Sequence, residues 1–515
     1  MRALSAAVMV AVLASGAAEA RWARFALVVG YNESDDAQLS PLRYADDDAV
    51  KHSQLLGLMT ERTVLLTQLD AESRALYGGA VAHRAPTRAN VLTALESLHA
   101  DMARAKARGD DPVLFFVYSG HGNYDQEGRG YVHLEDGRFT TRDTYYEVLG
   151  PSEGEQPHHV VLVVDACNAA LLVNSRGPTR QRATTTSLRL ENYPRVGVIL
   201  SSSSVGEVHE WGRLVSGVFS HEVRSALMGA GDLNDDGAVT FPELAAFVAA
   251  ANAQVKNAEY RIKPYIRPPL SAPNMPILSF KDARFPARLR IDASLSGRTH
   301  LLNTELLRFA DFNKAGASGF WLGLPGTDGF TLVRGATEYV VPAGARGDLQ
   351  VASLSSRATE TLAGRGADRY FEERLFAEPL SPESGADWLT AEYGPSLTVE
   401  RHEGVPWYEN GGAWAVTGLG ASLLGAAIGL HVESELGFAA VREDPADFTG
   451  LEGQALNERS SSYRHGAIAA YSVGGAALLG GILWFALDES FRTERFEPPL
   501  RVMVTPQGVE LEATF

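Results

Sequence analysis

Val113-Leu114-Phe115-Phe116-Val117-Tyr118-Ser119-Gly120-His121-Gly122 and Val160-Val161-Leu162-Val163-Val164-Asp165-Ala166-Cys167-Asn168 decide the fold of this 515-residue sequence. Each begins as a continuous apolar run, the pattern of a strand buried on both faces. Each then turns polar where the strand ends. Phe25 to Val29, Thr63 to Leu66 and Val196 to Leu200 are further short apolar runs. Amphipathic patterns lie between them: Thr87 is placed to cap a helix in which Val91, Leu95, Leu98 and Met102 share one face. Strands alternating with helical crossovers from Arg24 to about Leu278 predict an α/β domain with a mainly parallel sheet. Such sheets carry their sites at the carboxyl ends of the strands, where both polar clusters fall.

The residue types in those clusters suit nucleophilic chemistry. Strand alternation puts Asp165 and Cys167 on one face. Gly120 and Gly122 let the backbone around His121 turn tightly and approach a substrate. A thiol attacks as the thiolate, which a helix N-terminus or a neighbouring histidine favours, and Ala169-Ala170-Leu171-Leu172 can open such a helix. The same residues also permit a plainer reading, in which Cys167 is a small buried hydrophobe and His121 a turn residue.

Composition narrows the classes. A net charge of −17, from 46 Lys and Arg against 63 Asp and Glu, excludes a general nucleic-acid binder with a basic face. Hydrophobic residues at 45% and charged residues at 21% supply a core rather than a disordered chain. Cys167 is the one cysteine, which rules out an internal disulfide and any multi-thiolate metal site.

Arg24-Phe25-Ala26-Leu27-Val28-Val29-Gly30, Leu42 to Leu56 with Ala45 and Asp48-Ala49, Ser119-Gly120-His121-Gly122 and Asp165-Ala166-Cys167 together resemble the caspase-like cysteine peptidases, the metacaspase and bacterial orthocaspase branch in particular. The resemblance continues through Ser202-Ser203, Glu207, Gly217-Val218-Phe219-Ser220 and Leu227-Met228-Gly229, covering about residues 24 to 255. It implies an α/β/α sandwich and an endopeptidase. In that reading Cys167 is the nucleophile, and His121 polarises the scissile carbonyl or protonates the leaving amine. The N–H groups of Cys167 and Gly122 form the oxyanion hole. Asp165 and Asp48 line the substrate pocket, where two carboxylates favour Arg or Lys. For Asp48 the alternative is a solvated place in the run Asp46-Asp47-Asp48. The family usually follows its cysteine with His-Ser-Gly, whereas this chain has Asn168-Ala169-Ala170. That departure motivates a second reading, a degenerate domain serving as an envelope binding or scaffold module. Arg176, Arg180, Arg182 and Arg189 lie in the polar stretch where a self-cleaved linker would fall.

Asp232-Leu233-Asn234-Asp235-Asp236-Gly237-Ala238-Val239-Thr240-Phe241-Pro242-Glu243 matches a twelve-residue EF-hand loop. Asp232, Asn234, Asp236, the Ala238 carbonyl and Glu243 would supply the oxygens, so Ca2+ is the one cofactor the sequence implies. The alternative is an Asx-rich turn that caps the next helix.

The remaining organisation follows from hydropathy. Arg2, the apolar Ala3 to Leu13 and Ala18-Glu19-Ala20 read as a signal peptide over residues 1–20. The peptidase-like domain spans 21–280, with a β-rich domain over 281–400. Residues 411–487 read as a transmembrane helical hairpin with spans 412–432 and 466–487, leaving a tail at 488–515. Gly425-x-x-x-Gly429 and Ala477-x-x-x-Gly481 are the small-residue pairs expected at its helix contact, with Trp414 and Trp484 at the interface. The expected placement is an exported protein in which residues 21 to about 410 lie outside the cytoplasm, with a peptide or protein substrate. A third reading makes the hairpin itself the functional part, in envelope assembly.

Overall fold

A computed structural model describes residues 21–36, 39–78, 81–173, 189–201, 210–257, 260–262, 264–292, 294–316, 319–358, 367–385, 387, 411–443, 450–487, 500–505 and 508–513. The signal peptide, Arg176, Arg180, Arg182, Ser202-Ser203, Glu207 and residues 488–499 of the tail lie outside the described residues.

The central sheet has six strands. They are β1 (Trp22–Tyr31), β2 (Arg62–Thr67), β3 (Asp111–Gly120), β7 (His159–Asp165), β8 (Val196–Leu200) and an edge strand Tyr265–Arg267. A small antiparallel sheet, β4 (Gly122–Tyr124), β5 (Gly130–Leu134) and β6 (Gly137–Thr140), follows β3 directly. In space the order is 265–267, β8, β7, β3, β1, β2, parallel throughout except for the edge strand. β3 and β7 are therefore central, and both of their faces must be covered.

The side chains obey that demand with a period of two. Val113, Phe115, Val117, Val161 and Val163 enter one core. Leu114, Phe116, Tyr118, Val160, Leu162 and Val164 enter the other. Each fully buried side chain of this kind contributes about 1.5–3 kcal/mol, which explains why these strands carry no polar residue until their ends. Helix α3 (Arg88–Ala107) covers the second face, capped by Thr87 and packed through Val91, Leu95, Leu98 and Met102 as the sequence predicts. Preceding it are α1 (Ala45–Gly57), on the first face, and α2 (Ala71–Tyr77). A short α4 (Ala169–Val173) follows β7. The hairpin β9 (Glu210–Trp211) and β10 (Ser216–Gly217) leads into α5 (Val218–Ser225), and α6 (Phe241–Asn252) follows.

The β-rich region is two small sheets, three-stranded (287–291, 320–324 and 347–350) and five-stranded (297–302, 308–314, 330–334, 337–341 and 355–358). Leu289, Ile291, Leu301, Phe312, Leu322 and Leu332 fill its interior, and that interior is continuous with the α1, α5 and α6 layer. Helix α7 (Ala367–Arg374) closes it. The two parts are thus one packed unit.

Residues 411–443 and 451–487 form a separate unit, the antiparallel helices α8 and α9. Both are long and apolar enough to cross a membrane. They differ from the sequence expectation in two ways. The helices run on through the stretch read as a connection, leaving 444–450 between them. Gly425 and Gly429 face open space; Gly481 lies at the contact as expected, against Thr417, and is joined there by Gly420 against the Leu478 backbone and Gly474 against Gly420. The buried positions explain this: Ala413, Gly420, Ala427 and Ser434 recur every seven residues, as do Ser460, Ala467, Gly474 and Gly481. A seven-residue seam keeps one face turned to its partner along both helices, whereas a spacing of four residues drifts off it.

Gly229 marks the join between the sheet domain and the β-rich domain. It holds φ at 111°, and a Cβ there would lie 2.0 Å from the Trp321 carbonyl oxygen. Gly229→Ala is expected to cost at least about 2 kcal/mol, since strain and a backbone clash add; urea unfolding of the full chain measures it.

Candidate active site

β3 and β7 pair in register with Ser119 opposite Asp165. Two residues beyond each stand His121 and Cys167, so adjacent strands deliver the histidine and the cysteine at one level of the sheet edge. The backbones then come very close. A Cβ on Gly122 would lie 2.3 Å from the Cys167 carbonyl oxygen and 3.0 Å from Ala166 Cβ, an approach only glycine permits.

His121 is held by its own carbonyl, which accepts the Tyr118 hydroxyl at 3.0 Å and the His133 N–H at 3.1 Å. Its ring is buried, and its Nε2 has no hydrogen-bond partner among the described residues. Burial lowers its pKa from the usual histidine value, against a hydrogen bond to the Ser40 backbone, so the ring is neutral at neutral pH. Beside it lies His133, fully buried, with its Nδ1 2.7 Å from Asp35 and its ring edge-on to His121 at 6.2 Å. Sequence reasoning missed His133 because nothing local distinguishes it from a core residue of β5.

Cys167 is half-buried. Ser201 Oγ braces the residue before it, accepting the Ala166 N–H and donating to the Ala166 carbonyl, both at 3.1 Å. The turn after the cysteine needs no glycine. Asn168 itself takes a left-handed φ of 56°, which asparagine tolerates better than most residues, and α4 starts at Ala169.

Asp165 and Asp48 meet on the α1 and α5 side of the sheet. A Cβ on Gly217 would lie 2.9 Å from Asp165 Oδ2 and 3.1 Å from Asp48 Oδ2. Asp165 Oδ2 accepts the Ser220 N–H at 3.1 Å and the Ser220 hydroxyl at 2.6 Å. Burial and the Asp48 charge push its carboxyl up to about 6, although the Ser220 hydrogen bonds oppose them. Asp48 is bonded more completely. Its Oδ1 accepts Arg224 Nη1 at 2.8 Å together with the Ser216 hydroxyl, and its Oδ2 accepts the Gly217 N–H at 2.8 Å. Arg224, a buried residue of the same chain, thus already occupies one side of Asp48.

The acidic run 46–48 is not a solvated face: all three side chains are buried. Asp46 accepts from Asn32 at 2.8 Å and from the Asp70 N–H at 2.9 Å, and Asp47 accepts the Ser73 hydroxyl at 3.1 Å. Arg224 reads in the sequence as an ordinary cation in a last helical turn. Its spacing of four from Ser220, which puts both on one face of α5, was the available signal.

The sequence model of the caspase domain family matches residues 23–277. Those residues belong to the caspase-domain family. Among solved structures, the chain is similar to the crystal structure of caspase-1 from Spodoptera frugiperda at 13% identity and a TM-score of 0.30, covering 49% of this chain and 87% of that one. A structure described as pro-sf-caspase-1 is 16% identical with a TM-score of 0.27, covering 48% and 87%. No curated protein matches the chain. A caspase domain implies a cysteine peptidase, and the β-rich region from Ala287 onward lies outside the matched residues.

Within the caspase domain, the loop 232–243 closes largely on itself. Asp232 accepts the Asp236 and Gly237 N–H groups at 3.2 and 2.9 Å. Glu243 accepts those of Leu233 and Thr240 at 3.1 and 2.9 Å, the second as part of a capping box for α6. Asn234 Oδ1 accepts the Asp236 N–H at 3.1 Å, and Asp236 Oδ1 accepts the Ala238 N–H at 2.8 Å. Arg290 pairs with Asp235 through both of its terminal nitrogens. Asp232 and Glu243 are both buried; burial and neighbouring carboxylates raise Asp232 well above the usual range and Glu243 to about 7. Among the described residues, no group of three or more His, Cys, Asp or Glu side chains is gathered to hold a metal as it stands.

The buried acid pair makes a prediction. Arg224→Gln leaves Asp48 without its cation and is expected to cost about 3–5 kcal/mol. Asp165 has a folded pKa above its unfolded one, so protons relieve the repulsion at low pH and the penalty is full above it. The loss is therefore larger near about pH 8 than near about pH 5, as chemical denaturation of the full chain at both values tests.

Proposed function

We propose that this protein is a cysteine endopeptidase that cleaves after Arg or Lys and is exported and tethered to a membrane by its C-terminal hairpin. One observation carries the catalytic part. A neutral histidine with a buried, unpartnered Nε2 leaves its strand end level with a half-exposed cysteine on the neighbouring strand. A buried imidazole nitrogen without a partner is costly, and it is useful if a reacting group completes it.

In this reading His121, neutral at rest, takes the Cys167 thiol proton, and the resulting thiolate attacks the scissile carbonyl carbon. The negative charge that develops on oxygen is met by the N–H groups of Cys167 and Gly122. His121 protonates the leaving amine as the carbon–nitrogen bond breaks, leaving a thioester. Water, deprotonated by His121, then attacks the thioester and releases the acid and the thiol. Asp165 supplies the charge that receives the basic side chain, because Asp48 is already paired with Arg224. The tether rests on the two apolar helices and export on residues 1–20.

Full-length protein given Arg- and Lys-ending fluorogenic peptides tests the proposal. Cys167→Ala is expected to lower turnover by at least about 10³-fold and to abolish labelling by an Arg-directed covalent inhibitor. An unreactive Cys167 with no turnover would instead favour the scaffold reading. The pocket also sets a pH signature. Asp165 is ionised above about 6 and neutral below, so KM for an Arg-ending peptide is expected to rise as pH falls through that value.

Calcium is a subsidiary proposal. Asp232, Asn234, Asp236, the Ala238 carbonyl and Glu243 would hold it, and it would relieve the repulsion between the buried Asp232 and Glu243 carboxylates. A higher melting temperature in calcium than in chelator, lost in Glu243→Gln, is the expected result; equal melts count against it.

A further inference from the structure

The buried acid pair Asp48 and Asp165 is held from behind by residues that lie outside the matched caspase domain. Helix α5 has two working faces. Ser220 and Arg224 point to Asp165 and Asp48, while His221 and Ser225 point to the β-rich strand 308–314. There Asp311 Oδ2 accepts His221 Nε2–H at 2.9 Å, and the Asp311 N–H donates to Ser225 Oγ at 3.1 Å. Burial opposes ionisation of Asp311, but Arg308 and His221 outweigh it and hold the carboxyl well below the usual range.

The hairpin ahead of α5 is gripped in the same way. Glu372 of α7 accepts from Arg213 at 3.0 Å and from Arg308 at 2.8 and 3.1 Å. Trp211 is buried against Phe371 at 5.6 Å, with the Arg308 guanidinium 5.4 Å from its ring centre. On the pocket side, Lys51 Nζ donates to the Leu214 and Val215 carbonyls at 2.9 and 2.6 Å. Between these grips Val215 sits at φ 48°, a conformation that β-branched residues avoid and that persists only where surroundings over-determine it. The next two residues, Ser216 and Gly217, bond Asp48. The seam is not solid throughout: a cavity of about 630 Å³ touching Lys51, Tyr77, Phe309 and Asp328 lies along it. Polar bridges therefore supplement the apolar contact where the seam is open.

We propose that the β-rich domain and α7 are a positioning element for the substrate pocket, with Glu372, bridging Arg213 and Arg308, setting the 210–217 hairpin and through it the Asp48 and Asp165 carboxylates. The inference rests on the peptidase reading for its substrate but not for its mechanics. Glu372 is a positioning residue, and its side chain is partly exposed, at 26%, so its variants are expected to fold.

The test compares full-length wild type, Glu372→Ala and Glu372→Gln. In Glu372→Ala, amide hydrogen exchange of residues 210–217 is expected to accelerate while that of β3 and β7 is unchanged. KM for an Arg-ending peptide is expected to rise about tenfold with kcat within about twofold, and alkylation of Cys167 by iodoacetamide to proceed at the wild-type rate. Glu372→Gln, which keeps an acceptor, falls between. Unchanged exchange at 210–217, or faster exchange with KM unmoved, overturns the proposal, as does a fall in kcat at constant KM. Wild-type protein that turns over no Arg- or Lys-ending peptide sinks the peptidase reading, whereas the exchange result, read without substrate, still decides the clamp.

Discussion

Burying Asp48 and Asp165 side by side is the constraint around which this structure is organised. Two desolvated carboxylates repel each other and lose their water, and neither is sustainable without donors on all sides. The donors come from α5 and the turn before it: Ser216, the Gly217 N–H, Ser220 and Arg224. That requirement fixes where α5 lies, which in turn turns His221 and Ser225 outward. The β-rich domain is seated on that outward face. A charge problem at the sheet edge thus propagates through one helix into the placement of a second domain.

The sheet itself is indifferent to this chemistry. Its central strands β3 and β7 are apolar on both faces between their first and last residues, so packing sets their positions and the polar ends come along as a consequence. This separates the site into a rigid half and a dependent half. His121 and Cys167 are fixed by β-ladder register, by Tyr118 and by Ser201. The acid pair is fixed by side-chain bonds to a hairpin and a helix, which are more easily perturbed. A separation of this kind lets the surroundings of the acid pair vary without moving His121 and Cys167.

Much of the fold was legible because double-sided burial leaves an unmistakable apolar run, as at Val160 to Val164, and because Thr87 announces the start of α3. The pair His121 and Cys167 was legible for the same reason, since strand ends are where polar residues first appear. What stayed hidden is long-range. Arg224 lies 176 residues from Asp48, and no local pattern joins them. The burial of Asp46 and Asp47 runs against the expectation for an acidic run, because Asn32, Asp70 and Ser73 converge on it only after folding. In the hairpin the spacing of four residues between small side chains was visible, but the seven-residue recurrence was the one that governed packing.

The lengths of α8 and α9 have a mechanical consequence. Helix α8 has 33 residues, which at a rise of 1.5 Å is about 50 Å, well beyond a hydrocarbon thickness of about 30 Å. Set in a bilayer at the level of Trp414 and Trp484, the paired helices would extend about 20 Å past the far edge of the hydrocarbon core as a stiff mast. Ser434 donates to the Ser460 carbonyl at 2.8 Å within that polar half, bracing it against splaying. The facing ends of the two helices, at Glu443 and Leu451, would then ride clear of the lipid surface, at a height set by helix rise.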